Sequence, residues 1–485
     1  MIMVGMLFFS ISPFFAQQTV TLGDAIRIAQ SNSFDAQLAR FSFLSSYWAY
    51  KSYKAELLPS MSLSGGLMNF NHSRVEARNA EDGKINYVDN NSLVNSLTLS
   101  LRQPVSSLGG TLSLQSYLYR LDQFDYNMTT YNTLPLRLSY SQPFTSYNEW
   151  KWRKKTEPKE YEKAKRVYQE SIEDIAIKVS SLYFAAISAL SDYQQSLAKS
   201  QDLEELYRIS QRRLELGTIT KGDLLQLELS KLNAEVTVNE AKVKLNDSLY
   251  DLFSYMRVTD YEHANLLPPE NVLDMVLNVN DVLLKARTNS SHAITQDLEL
   301  IAAQQNLAKA KSAQGIQMHL NAEVGFNRTA DGFAAAYSHL QDNEIIGVTV
   351  TVPIFDWGVK KGRVMVAKSN LELAKTKREQ ADNDYVQSVK REVMQFSLQA
   401  ALCRTSLQAQ RISQERYDIT KKRFEAGNVS VTELNTALQE LETAKSQYIS
   451  QLRTYWNYYY TLRKFTLYDW VQHQELTVDF DALVL

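Results

Sequence analysis

Turn-forming residues are scarce: the 485-residue chain has only 16 glycines and nine prolines. On length alone about two or three compact domains would fit. So few turns argue instead for long elements in an extended helical architecture. Cysteine is nearly absent. The single one, Cys403, excludes an intrachain disulfide and a cysteine-based zinc site. Its place on the apolar stripe of Val386, Val389, Val393, Phe396, Ala400 and Leu407 reads as a small buried hydrophobe. Neither sign of charge dominates, with 54 acidic and 52 basic residues and no long run of either. Nothing therefore points to a nucleic acid or another polyanion as partner. Long apolar runs are missing too. The opening stretch MIMVGMLFFSISPFFA is apolar and uncharged, and residues 1–17 read as a secretory signal peptide, even though a basic leading region is absent and Phe14 stands where cleavage prefers a small residue. Beyond it no run of eighteen apolar residues occurs, so no membrane-spanning helix is expected.

What the chain has is a long helical seam. Leu434, Leu438, Leu441, Lys445, Tyr448, Leu452, Tyr455, Tyr459 and Leu462 follow at alternating steps of four and three, the spacing of a coiled coil. Gly427 precedes the seam, where a helix arriving from Tyr417 should stop and turn. The unit is a helical hairpin, and the chain holds it twice. Tyr207 matches Tyr417, Arg213 matches Arg423, Glu215 matches Glu425, Gly217 matches Gly427 and Leu224 matches Leu434, every pair 210 residues apart. So constant a register marks an internal duplication.

The copies open alike. A helical pattern from Thr21 to about Leu58 returns from Asp281, with Asn32, Ala36, Leu44 and Lys54 matching Asn289, Ala293, Ile301 and Lys311 at an offset of 257. The difference between 257 and 210 is an insertion of 47 residues in the first half. The period then changes to two. Leu320, Ala322, Val324 and Phe326 alternate with polar residues, as do Ile346, Val348, Val350, Val352 and Ile354, and in the first half Leu134, Leu136, Leu138 and Tyr140. These are strands with one apolar and one polar face, expected at 318–327 and 344–354, and in the first half at about 61–70 and 134–143. The insertion adds a further hairpin at about 93–121, either an exposed loop or part of the sheet. Long helices are expected from Glu157 and from Val359, spanning roughly 90 Å each. The division that follows is a first repeat over 18–270, with its helical hairpin at 157–257, a second repeat over 271–468, with its hairpin at 359–468, and a tail over 469–485.

A sheet with one wholly apolar face and no compact core to cover it needs another apolar medium, and lipid supplies one. In a bilayer, open sheet edges leave backbone groups unpaired at a cost of several kcal/mol each, so the sheet must close into a barrel. Four strands are too few for the usual minimum of about eight. Closure therefore needs more than one copy, and three copies of four strands would make twelve. The fold class expected is mainly α with a membrane β-barrel portion: a duplicated chain whose coiled-coil helices line a tube and which contributes four strands to a shared barrel, or six if the extra hairpin joins.

The duplicated plan, the segment VTVTVPIFDWG at Val348–Gly358 and the segment RFEAGNVSVTEL at Arg423–Leu434 resemble the TolC-type outer-membrane efflux proteins of Gram-negative bacteria, over about Thr19 to Tyr468. The resemblance implies a homotrimer with a barrel in outer-membrane lipid and a periplasmic tube of helices. It also implies a periplasmic adaptor and an inner-membrane transporter as partners, for efflux or type I secretion of small molecules or proteins. In that family the helical turns at the far end close the channel. There an aromatic residue lies three before the turn glycine, an arginine two after it, and aspartates six and nine after it. Phe424 keeps the aromatic and Glu433 an acid, while Val429 and Thr436 replace the arginine and the second aspartate. Asp223 stands in the first repeat where Glu433 stands in the second. Phe424, Glu433 and Asp223 are thus the candidate constriction residues, although a first-turn acid also serves its own helix. Leu216, Gly217 and Thr218, with Ala426, Gly427 and Asn428, are the candidate adaptor-docking turns, although glycine there also caps a helix. Trp150, Trp152 and Trp357 follow strands and suit an interfacial belt, whereas Tyr455 and Tyr459 lie on the coiled-coil seam.

No enzyme is expected. His72, His263, His292, His319, His339 and His473 are scattered singly, without a second ligand at metal spacing. No glycine-rich phosphate loop occurs, so no cofactor is expected and any energy for transport comes from a partner. The rival reading is a periplasmic coiled-coil adaptor or scaffold whose strands form a soluble sandwich, which would need two sheets packed face to face.

Overall fold

The computed structural model describes residues 19–78, 83, 85–144, 147–259, 265–269, 272 and 275–484. The signal peptide expected at 1–17 lies outside them. In chain order the elements are β1 (Thr19–Val20), α1 (Leu22–Asn32), α2 (Phe34–Glu56), β2 (Ser60–Arg78), β3 (Ile85–Val105), β4 (Gly110–Gln123), β5 (Met128–Pro143), α3 (Glu149–Glu215) and α4 (Lys221–Met256). The second half follows with β6 (Asn265–Leu266), α5 (Val279–Asn289), α6 (His292–Gln314), β7 (Gln317–Ala330), α7 (Phe333–Ala336), β8 (Gln341–Thr351), α8 (Val359–Glu425), α9 (Val431–Thr466), β9 (Tyr468–Asp469), β10 (Gln474–Glu475) and α10 (Phe480–Val484). The duplication is kept residue by residue. Helices α3 and α8 have 67 residues each and α4 and α9 have 36 each, all beginning and ending 210 apart. Helices α1 and α5 begin 257 apart, at Leu22 and Val279.

Two expectations about helices are corrected. The opening helix is broken in each copy. Buried Ser33 ends α1 by donating its N–H to the Ala29 carbonyl, while its hydroxyl accepts the Ala36 N–H at 3.2 Å to start α2. One serine serves both helix ends. Ser290 makes the matching break between α5 and α6. The long helix expected from Glu157 begins at Glu149, because Asn148 caps it by accepting the Lys151 N–H at 3.1 Å. Pro158 therefore lies inside it.

The chain divides into two compact units, one of Met1–Leu44, Ala164–Ala293 and Asp382–Leu485, the other of Ser45–Lys163 and Ile294–Ala381. In the first, the stripes of α3, α4, α8 and α9 close on each other and on α1 and α5. Val179, Tyr183, Phe184, Leu252, Val393, Phe396, Cys403, Leu452 and Tyr455 are all almost fully buried. Burial raises the Cys403 thiol to about 11, which keeps it an inert hydrophobe. Tyr183 donates its hydroxyl to the carbonyls of Val20 and Leu267, 2.7 Å from each, and so holds the parallel β1–β6 pair. Among the described residues α3 alone is long and apolar enough to cross a membrane, with a stretch of mean hydropathy 1.3. Half of that stretch is buried inside the protein, where its apolar residues serve the helical core.

The second unit holds a six-stranded antiparallel sheet in the order β2-β3-β4-β5-β7-β8. The extra hairpin has joined it, so the chain contributes six strands. Its two faces differ in kind. Met61, Leu101, Leu114, Leu138 and Val324 form one cross-strand row, and Ser60, Arg102, Ser113, Ser139 and Glu323 form the adjacent one. On the apolar side Met61, Leu63, Leu99, Leu136, Val324, Phe326, Val348 and Val350 are exposed. No second sheet is packed face to face on it among the described residues, as the soluble sandwich would require.

Candidate functional site

The candidate residues gather at the two turns α3–α4 and α8–α9. Each turn is built around a glycine in the left-handed region, Gly217 at φ +71° and Gly427 at φ +82°. Thr218 donates its N–H to the Arg213 carbonyl at 2.9 Å, and Asn428 donates to Arg423 at 2.9 Å, which satisfies carbonyls left over at the helix ends. Leu216, Gly217, Thr218, Ala426, Gly427 and Asn428 are all exposed.

Beneath the turns the two hairpins share a small core. Phe424 is 3% exposed and packs in one cluster with Leu203, Leu206, Leu227, Leu434 and Tyr417. The aromatic ring is thus directed into the bundle, where it anchors the turn and is not presented at its surface. The two acids differ from each other. Thr220 and Asp223 form a reciprocal capping box: the hydroxyl of Thr220 accepts the Asp223 N–H at 3.2 Å, and the carboxylate of Asp223 accepts the Thr220 N–H at 3.1 Å. The Thr220 hydroxyl also donates to the Asp223 carboxylate at 2.8 Å, and this bond, followed by that of the Thr220 N–H, holds the Asp223 carboxyl below its usual pKa. In the second repeat Ser430 accepts the Glu433 N–H at 3.2 Å, while the Glu433 carboxylate is turned to Arg423 at 4.0 Å and stays half exposed.

Arg213 and Arg423 occupy equivalent positions and do different work. Arg213 crosses to the other hairpin, donating from Nη2 to the carbonyls of Glu425 at 2.9 Å and Phe424 at 3.3 Å. It places a cation on the negative end of α8. A side chain at Gly427 would have its Cβ 3.2 Å from that same Nη2. Three turns further back, Asp202 of α3 ties α8 a second time. Its carboxylate accepts the Tyr417 hydroxyl at 2.5 Å and pairs with the Lys421 ammonium at 2.6 Å. Burial, then the hydrogen bond to Asp202, pushes the Tyr417 phenol up, and the hydrogen bond to Asp202 raises Lys421. Lys199 joins α3 to Glu442 of α9 at 3.2 Å. Asp202, Lys421 and the crossing of Arg213 were missed by motif reasoning. The signal lay in mismatch between the copies, since Asp202 faces Ile412 and Lys421 faces Gln211 at the 210 offset.

Residues 286–466 match the sequence pattern of the family described as outer membrane efflux protein. Likeness of fold to solved structures extends well beyond the matched segment. The Campylobacter jejuni CmeC outer membrane channel is similar over 95% of this chain and 88% of its own, with a TM-score of 0.67 at 16% identity. The Vibrio cholerae outer membrane protein VceC is similar over 92% of this chain and 95% of its own, with a TM-score of 0.64 at 13% identity. The open state of the Neisseria gonorrhoeae MtrE outer membrane channel is similar over 92% of this chain and 88% of its own, at a TM-score of 0.59 and 15% identity. No curated protein matches the chain in sequence.

Proposed function

We propose that this protein is a channel of the Gram-negative outer membrane with a periplasmic extension, the passive exit duct of a tripartite efflux or type I secretion system. It works as a homotrimer, meeting a periplasmic adaptor at its helical turns and drawing energy from an inner-membrane transporter. The observation that carries this reading is the sheet. It has an exposed apolar face and two outer strands, β2 and β8, whose outer edges have no partner strand among the described residues, a combination suited to lipid only when copies close it into a barrel. A second feature supports assembly. Leu225, Leu229, Leu232, Val236, Val243 and Tyr250 of α4 are each more than half exposed and recur at coiled-coil spacing, a seam left for a helix of another copy.

The test is single-channel conductance of the detergent-purified protein in a planar bilayer, with the oligomeric mass of the same sample. A trimer that inserts and conducts is expected. A monomer that stays soluble without detergent and never conducts would return the reading to a periplasmic scaffold.

The turns are then the entrance. Exposed Glu433 would form a ring of carboxylates around it, with Asp223 a second ring already engaged in capping. Glu433→Gln is expected to lower cation preference more than Asp223→Asn, since the Asp223 carboxylate is held by Thr220. Reversal potentials in a salt gradient measure this. If the double variant kept wild-type conductance and cation preference, neither acid would belong to the constriction.

A further inference from the structure

We propose that the barrel has eighteen strands, six from each of three copies, and that its lumen is an open aqueous one. This rests on the trimeric channel reading above and goes beyond the twelve strands that four from each copy would make.

The added hairpin is not a flap at the margin of the sheet. Strands β3 and β4 pair continuously from Ser92↔Gln123 to Val105↔Gly110, and β4 pairs onward with β5. They lie between β2 and β5. If they left the barrel, β2 would lose the sole neighbour it has in its own sheet. The two faces also run through the hairpin without interruption. Leu101 and Leu114 continue the apolar row from Met61 to Leu138, and Arg102 and Ser113 continue the polar row from Ser60 to Ser139.

The hairpin's own turn is built in as well. Gln142 of β5 donates from Nε2 to the Leu108 carbonyl at 2.8 Å, and Asn148 donates to the Ser106 carbonyl at 3.3 Å. Two glycines make this fit. Gly109 has φ +80°, and a Cβ on Gly110 would stand 2.5 Å from Gln142 Oε1 and 2.8 Å from the Ser141 carbonyl. The sequence thus leaves side chains out where the turn meets β5.

A second copy fits the open edges. Strand β2 starts next to a helix and β8 ends next to one, so the two edges of adjacent copies meet antiparallel. Setting Met61 against Val350 also sets Leu63 against Val348 and Gly65 against Ile346, which keeps the apolar residues on one side. A shift by two residues preserves this match. Barrel diameter grows about linearly with strand number, so eighteen strands give a lumen about 1.5 times as wide as twelve. That lies in the range where porins hold water, not packed side chains.

The deciding experiment is electron cryomicroscopy of the full-length protein in lipid nanodiscs, counting strands in the membrane section. Eighteen are expected. Cysteine pairs give an independent reading in a Cys403→Ser background. Ser62→Cys with Ser100→Cys, and Ser113→Cys with Ser139→Cys, should cross-link within a chain, and Leu63→Cys with Val348→Cys should link neighbouring chains. A conducting trimer with twelve strands, in which Ser62→Cys links to Ser139→Cys, would overturn the proposal and leave the channel reading intact. A monomer that neither inserts nor conducts would overturn both.

Discussion

Arg463→Ala is expected to destabilise the helical unit by about 3–5 kcal/mol, the cost of leaving a buried charge without its partner. Arg463 donates from Nη2 to Glu173 at 3.0 Å and from Nη1 to Asp469 at 3.2 Å. Glu173 is 3% exposed, so water cannot replace the lost guanidinium. The pH dependence follows from the same burial. Burial raises the Glu173 carboxyl above its usual pKa, and Arg463 pulls it back down. A carboxyl with a raised folded-state pKa favours the folded state as pH falls through that value and penalises it as pH rises. Removing Arg463 raises the pKa further. The defect should therefore shrink toward acid pH and be largest at neutral and alkaline pH. Chemical unfolding followed by the helical circular-dichroism signal measures it. Glu173→Gln added to Arg463→Ala should restore part of the loss, because it removes the stranded charge. A single variant as stable as wild type across the pH range would show that the pair carries no weight.

Asp202→Ala combined with Arg213→Ala is expected to raise single-channel conductance several-fold. If the helical turns close the channel, opening it means moving α8 and α9 away from α3 and α4. The ties between α3 and α8 oppose that movement. Asp202 holds Tyr417 and Lys421, and Arg213 holds the last carbonyls of α8. Hydrogen bonds to a charged group contribute roughly 1.5–3 kcal/mol each, so losing several of them shifts a closed-to-open equilibrium strongly. Asp202→Asn keeps an acceptor for the Tyr417 hydroxyl but gives up the charge that holds Lys421, and should fall between. A folded trimeric double variant with unchanged conductance would remove these ties from the gate.

Much of this protein was legible in one dimension because the duplication repeats its signals. The 210-residue register identified the helical hairpins, and helices α3, α4, α8 and α9 keep it from end to end. The turn glycines were legible because a left-handed residue at a helix end selects glycine. Alternating apolar residues marked the strands. What failed did so for identifiable reasons. Ser33 and Ser290 break their helices through hydrogen bonds that leave no mark on the apolar period. Asn148 moved the start of α3 by capping it from outside the expected helix. The spacing to Gly427 marks Phe424 without naming what it packs against, since its burial against Leu203 and Leu206 depends on a helix more than two hundred residues away.

By itself, then, the sequence determined the element types, the repeat and the two turns, since these follow from local period and backbone conformation. Only the tertiary structure decided that the insertion supplies two full strands of one sheet, because strand pairing is set by neighbours that the period of a single strand cannot name. It likewise decided which charges meet. Arg213 and Arg423 are equivalent by position, yet one crosses to the partner hairpin and the other stays at its own turn. Arg463 replaces a phenylalanine of the first repeat, Phe253, and becomes a buried ion partner because Glu173 and Asp469 converge on it. Convergence of that kind is a property of packing between distant helices, and no spacing along the chain encodes it.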